Sequence, residues 1–228
     1  MAAPRPAAAT PLVYSWTGTV SFIDPALQSE GPTFAIDDPV SFVVTIDDGV
    51  VGQPLSSGDA STYNPIDTTS LTIGDSFDLA GGVFDFVGSI TVQDSMTDAF
   101  RIDRQALPSA SLPPDLGIYR PVQVIAVLRD SSGTVLPSQA LPTSLAFEDF
   151  TSSELSLIYR DPGDFTASAG VGISVSDVTV AIPEPQAASL WALMVAAFFV
   201  VRKRETHRPS RWPRGRSRSS APAVGGWT

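Results

Sequence analysis

The chain has 228 residues, 43% of them hydrophobic and 9% aromatic, with 20 Pro, 17 Gly, no Cys and one histidine, His207. This composition supports a folded core. It excludes disulfides, cysteine-based zinc sites and thiol catalysis, and the lone histidine excludes a multi-histidine metal centre or a Ser-His-Asp triad in the main body. Charge divides the chain: up to Pro185 it carries 6 Arg, no Lys and 23 Asp plus Glu, net −17, whereas from Gln186 onward 7 Arg, 1 Lys and 1 Glu give +7. A body so acidic lacks the clustered cations that nucleic-acid binding requires, and the asymmetry points to two different surroundings.

Residues 1–12 begin Ala- and Pro-rich and carry no element pattern, and Ala7-Ala8-Ala9 is similar to the small-residue end of a signal peptide. The expectation there is a disordered N-terminus or the remnant of such a peptide. From Val13 the pattern turns to period two. Over Tyr14–Phe22, Tyr14, Trp16, Val20 and Phe22 share one face, with Gly18 at the gap, and Ser15, Thr17, Thr19 and Ser21 share the other. Over Val40–Ile46 the same alternation selects Val40, Phe42, Val44 and Ile46, and Asp47-Asp48-Gly49 ends the run as a turn.

Further strands are predicted at Ser70–Ile73, Val83–Val87, Ser89–Val92, Phe100–Ile102, Val122–Leu128, Leu145–Phe147, Leu155–Tyr159 and Val171–Val180. Gly81-Gly82, Asp130–Gly133 and Asp161-Pro162-Gly163 read as turns between them. The longer stretches 53–69 and 104–117 read as loops, one of them with room for a short helix. No long span of helical period occurs before residue 181. The predicted architecture is therefore all-β, an acidic antiparallel β-sandwich or jelly-roll-like ectodomain over residues 13–181.

Several residue groups in that body could carry chemistry. Asp37-Asp38 and Asp47-Asp48 form two acidic turns at strand ends, and such oxygens could ligate Ca²⁺. No Asp-x-Asp-x-Asp-Gly loop accompanies them, and Asp is an ordinary turn former, so no cofactor is expected. Glu148, Asp149 and Glu154 supply carboxylates of the kind that glycosidases pair, although sequence does not set their separation. Tyr14, Trp16, Tyr63 and Tyr119 could stack sugars if exposed on one sheet face, but the alternation of Tyr14 with Trp16 places those two in the core.

The C-terminal part carries the most specific signal. Strand residues up to Ile182 are followed by Pro183-Glu184-Pro185, which stops any preceding element. Ala187–Val201 then runs for fifteen residues without a charge, about 22 Å as a helix, and Arg202-Lys203-Arg204 follow at once. Basic side chains can snorkel to lengthen a short span, and their position marks the cytoplasmic side, so a transmembrane helix is predicted over 187–201 with stop-transfer at Arg202, Lys203 and Arg204. The basic tail 205–228 reads as a disordered cytoplasmic flank with no nucleic-acid role.

This order over residues 182–204 resembles the PEP-CTERM sorting signal of bacterial exported proteins, also labelled an ice-binding protein C-terminal domain, a label that does not itself imply ice binding. The resemblance implies export, anchoring in the inner membrane, and recognition of Pro183, Glu184 and Pro185 by exosortase, with release or re-attachment at the cell surface or outside it. The tail beyond Arg204 is longer than is usual for that pattern. The stretches Tyr14–Leu27 and Asp38–Phe42 are similar to ectodomains that often accompany the signal, and they bring no known activity. The function so implied is non-enzymatic: a surface or extracellular-matrix protein, associated with exopolysaccharide. The rival reading is a carbohydrate- or calcium-binding β-sandwich module.

Overall fold

The computed structural model describes residues 10–82, 85–107, 116–164 and 166–183. The transmembrane helix expected at 187–201, the expected sorting residues Glu184 and Pro185, the expected stop-transfer cations Arg202, Lys203 and Arg204, and the tail 205–228 lie outside them. Among the described residues no helix is long and apolar enough to cross a membrane.

The described strands are β1 (Pro11–Ile23), β2 (Pro39–Asp47), β3 (Gln53–Pro54), β4 (Ala60–Tyr63), β5 (Thr68–Ile73), β6 (Phe77–Gly82), β7 (Phe86–Gln93), β8 (Asp98–Ala106), β9 (Arg120–Asp130), β10 (Ser152–Arg160) and β11 (Ser168–Ala181). The one α-helix among them, α1, is the single turn Pro25–Gln28. It forms because Asp24 caps the Ala26 N–H at 2.9 Å and Pro25 supplies a pre-set φ at the first helical position.

All strand pairings are antiparallel, and they join the strands into one continuous sheet ordered β3-β4-β7-β8-β9-β10-β11-β1-β2-β5-β6. The expected all-β antiparallel class is thus found, but the ladder does not divide into the two separate sheets of a sandwich. The sheet instead curls into a half-barrel. Tyr14 and Trp16 on β1 meet Phe100 on β8 with ring centroids 4.9 and 5.9 Å apart, although three strands separate β1 from β8 along the ladder. Such contact requires the sheet to fold back on itself around one core. Residues 64–67 make the same point, carrying the chain from β4 near one margin to β5 near the other.

The core is built by the period-two faces. Val40, Phe42, Val44 and Ile46 are all buried, as the alternation along β2 requires. On β1 the phase breaks. Tyr14, Trp16 and Val20 point inward, but Phe22 is 54% exposed and Ile23 is buried in its place. The ladder to β11 runs Val20↔Ile173 and then Phe22↔Gly172, so Ser21 is an extra residue in the strand. This bulge turns over the side chains that follow. A second shift lies between Thr17 and Gly18, where a Cβ on Gly18 would collide with the Ser174 carbonyl.

Other boundaries also differ from the predicted ones. β1 starts at Pro11, because Pro11 and Leu12 already pair with Asp47 and Ile46. The stretch 53–69 contains β3 and β4, and the short helix lies at 25–28 instead. Gly81 and Gly82 belong to β6, where a Cβ on Gly81 would strike the Phe86 ring. Leu145–Phe147 is not a strand, and residues 147–149 form a 3-10 turn.

Candidate functional site

The acidic turns do not come together. Asp37-Asp38 precede β2 and Asp47-Asp48 end it, so the two pairs stand at opposite ends of a nine-residue strand, on the order of 30 Å apart. Their carboxylates serve the turns themselves: Asp38 accepts from the Ala35 N–H at 2.7 Å, Asp47 from Gly49 at 2.7 Å and Asp48 from Thr10 at 2.8 Å. Asp37 holds a left-handed φ of 71°, a conformation that aspartate tolerates better than most residues. No group of three or more potential metal-ligating side chains occurs among the described residues.

The aromatic candidates do not form a platform. Tyr14, Trp16 and Tyr63 are buried, and Tyr119 is half-buried in a small bridge with Leu116. The phenol of Tyr14 donates to the Pro142 carbonyl at 2.9 Å and that of Tyr63 to the Gln139 carbonyl at 2.6 Å. Burial pushes both phenols upward in pKa, for Tyr63 against a smaller opposing backbone hydrogen bond. Glu148, Asp149 and Glu154 are exposed, the first two on the 3-10 turn and the third on β10. Pro183, the described member of the Pro183-Glu184-Pro185 tripeptide, is exposed just beyond the end of β11, beside the half-exposed Ile182.

Both tyrosine bonds point to residues 131–151, the long connection from β9 to β10. This segment lies against β1, β4 and β8. Gln139 accepts from Ser61 Oγ at 3.0 Å and donates to the Gly58 carbonyl at 3.0 Å, and Leu136 is buried in the core. Its start is organised by two buried aspartates paired across β8 and β9, Asp98 and Asp130. Asp98 accepts from the backbone N–H groups of Val135 and Leu136 at 2.8 and 2.7 Å, and from Ser95 at 3.3 Å. Asp130 accepts from Ser132 Oγ, the Ser132 N–H and the Thr134 N–H at 2.5, 3.0 and 3.1 Å. These bonds hold its carboxyl below the usual aspartate range. Within the segment, Leu136, Leu141, Leu145 and Asp149 are among the residues that line a crevice of about 430 Å³.

The other end of β8 presents a different arrangement. Arg104 is 1% exposed, with its guanidinium over the Phe86 ring at 5.6 Å. Its Nε donates to Thr69 Oγ1 at 2.8 Å and its Nη2 to the Phe86 carbonyl at 3.5 Å. Burial lowers its pKa to about 10, which leaves it charged at neutral pH. Arg104 lines a crevice of about 380 Å³ together with Asn64, Pro65, Phe86, Val87, Gly88 and Ser89. The Asn64–Pro65 peptide at its rim is cis.

Arg104 is absent from the sequence-predicted site residues, yet a signal for it exists. Asp98, Phe100, Ile102 and Arg104 share one phase of the period-two pattern, and Phe100 and Ile102 mark that phase as the core side. Comparison of the chain with protein-family models, with curated proteins and with solved structures returns no match.

Proposed function

We propose that the chain is an exported bacterial surface or extracellular-matrix protein, associated with exopolysaccharide and without enzymatic activity. In this reading it is held in the inner membrane by residues 187–201 and processed by exosortase at Pro183-Glu184-Pro185. The observation that carries the proposal is the order of three segments: a proline-bracketed glutamate, fifteen uncharged residues, and Arg202-Lys203-Arg204. Each has a physical task. The prolines keep the peptide extended at the outer boundary of the membrane, where an enzyme can reach it. The apolar run partitions into lipid, and the cations stop transfer.

The end of the folded body supports the same reading. β11 lies between β10 and β1 inside the sheet and ends at Ala181, so the chain leaves the body two residues before the tripeptide's first proline, with Ile182 and Pro183 exposed. The acidic surface of the body suits an extracellular setting, where self-repulsion favours solubility.

The test replaces Pro183, Glu184 and Pro185 together by alanine in an exosortase-bearing host. Mass spectrometry and fractionation then follow the mature chain. The expected outcome is loss of the processed form and retention in the inner membrane. A mature mass and location unchanged by the triple substitution would refute sorting.

A further inference from the structure

Up to Pro185 the chain sets only six arginines and no lysine against 23 carboxylates. Two of those arginines lie directly opposite each other, Arg120 on β9 and Arg160 on β10. Both are exposed, and their strand neighbours Pro121 and Tyr159 are buried, so both point to the outer face of the sheet. Opposite residues of an antiparallel pair bring their Cβ atoms to about 5 Å, and like charges placed so repel. Ser168 of β11, also exposed, continues the same row beyond Arg160. Two guanidinium forks with a hydroxyl beside them present the donors that a carboxylate takes up.

The same face continues as a trough. Gly170 and Gly172 occupy the outer side of β11, where Ala169, Val171 and Ile173 face the core. Phe22, turned outward by the β1 bulge, pairs with Gly172 and is 54% exposed. Its Cβ and Cδ1 lie 3.4 and 3.9 Å from the point that a Cβ on Gly172 would occupy. The side chain thus leans over the glycine and leaves apolar ring surface open to solvent. Ser168 and Gly172 are four residues apart, and β10 and β1 are two strand spacings apart, which puts the arginines and the ring on the order of 15 Å from each other. A single carboxylate does not span that distance. A chain of sugar acids does: one carboxylate reaches the arginines, and the C–H face of a later ring lies on Phe22.

We infer that the outer face of β9, β10, β11 and β1 binds an acidic polysaccharide, with Arg120 and Arg160 holding a uronate carboxylate and Phe22 carrying a sugar ring further along. The inference deepens the proposed association with exopolysaccharide and rests on it for the choice of a polymer. The acidic body opposes polyanions in general, but at physiological ionic strength charges are screened over about 8 Å. The carboxylates nearest in sequence are engaged in turns: Asp161 accepts from the Gly163 N–H at 2.7 Å and Asp24 from the Ala26 N–H at 2.9 Å.

The test uses the full chain in non-ionic detergent at physiological ionic strength. Arg208, Arg211, Arg214, Arg216 and Arg218 are replaced by Gln throughout, so that the basic tail does not capture the probe. Trigalacturonate, its methyl ester and sulfate are titrated by calorimetry. Trigalacturonate is expected to bind saturably, and the ester and sulfate about tenfold more weakly or worse. The double variant R120Q/R160Q is expected to weaken trigalacturonate binding about tenfold or more, and F22S about threefold. R129Q, which removes an exposed arginine at the other end of β9, is expected to leave binding unchanged. If the double variant does not fold, R160Q and F22S decide. Absence of saturable binding, binding undiminished in the arginine variants, or an equal loss in R129Q would overturn the inference. Equal binding of the ester or of sulfate would overturn the uronate assignment, and binding unaffected by F22S would overturn the ring contact. Neither these titrations nor the alanine test of sorting depends on the outcome of the other.

Discussion

The two ends of β8 bury opposite charges and treat them differently. Asp98 and Arg104 lie on the same core-facing side of one strand, six residues or on the order of 20 Å apart. At the first end the segment 131–151 folds over the carboxylate and supplies backbone N–H groups, so the charge is met from within the chain. At the other end the guanidinium meets only neutral partners among the described residues and borders an open crevice. The difference separates a buried charge used to fix a loop from one that ties β8 to β5 and β7 through neutral groups. Both are equally buried, so burial alone does not distinguish them. What does is the supply of counter-groups.

Removing Asp98 should have the largest effect. Asp98→Ala leaves the N–H groups of Val135 and Leu136 without their acceptor in a buried setting, and a loss of about 3–5 kcal/mol is expected from chemical denaturation. It should also loosen the 131–151 segment as read by hydrogen exchange. A loss below 1 kcal/mol would erase the contrast. Arg104→Met should have a much smaller effect. It removes the cost of burying an ion but also the donor to Thr69 Oγ1 and the Phe86 carbonyl, and a net change within about 1 kcal/mol is expected. A strong destabilisation would make Arg104 a structural brace like Asp98.

A smaller contrast of the same kind involves two buried phenols. Tyr14→Phe loses the bond to Pro142 that ties β1 to the 131–151 segment, and about 1 kcal/mol of destabilisation is expected. The Tyr159 hydroxyl is buried without a hydrogen-bond partner among the described residues. Tyr159→Phe should therefore be neutral or slightly stabilising, and the two variants measured side by side check the assignment.

The gentlest effect is on the acid side of the stability profile. Hydrogen bonds depress the carboxyl pKa of Asp130, and of Asp164 through Thr166. Their contribution is fully present above the unfolded aspartate value, about 3.9, and is lost as pH falls through the lower folded value. Asp130→Asn should flatten the loss of stability below about pH 4 and leave its pH dependence near neutrality unchanged. A variant as acid-sensitive as the parent would remove this role.

Much of the sheet was legible in the sequence because alternation within a strand is a local property. β2 shows this most clearly, since Val40, Phe42, Val44 and Ile46 were predicted to share a face and are all buried. β3 and β4 were hidden because they are short and polar. β6 was hidden because it ends in Gly81-Gly82, a pair that reads as a turn until Phe86 is seen to need the space. Phe22 was misassigned because a one-residue bulge reverses the faces and has no signature in alternation. The acidic turns are ten residues apart in sequence, and the extended strand between them holds them at its two ends, a separation that a pair of Asp-Asp dipeptides does not announce.

The amino-acid order alone carries the all-β class, the inward faces of β2 and of β1 as far as Val20, and the proline, apolar and basic order at 183–204. These depend on side chains a few residues apart. Only the tertiary structure decided that one sheet curls until β1 meets β8, that Asp98 is answered by residues 135 and 136, and that Arg104 is met by Thr69 from a distant strand. Those contacts join positions more than thirty residues apart, and the periodicity of a strand carries no record of which distant group will face it.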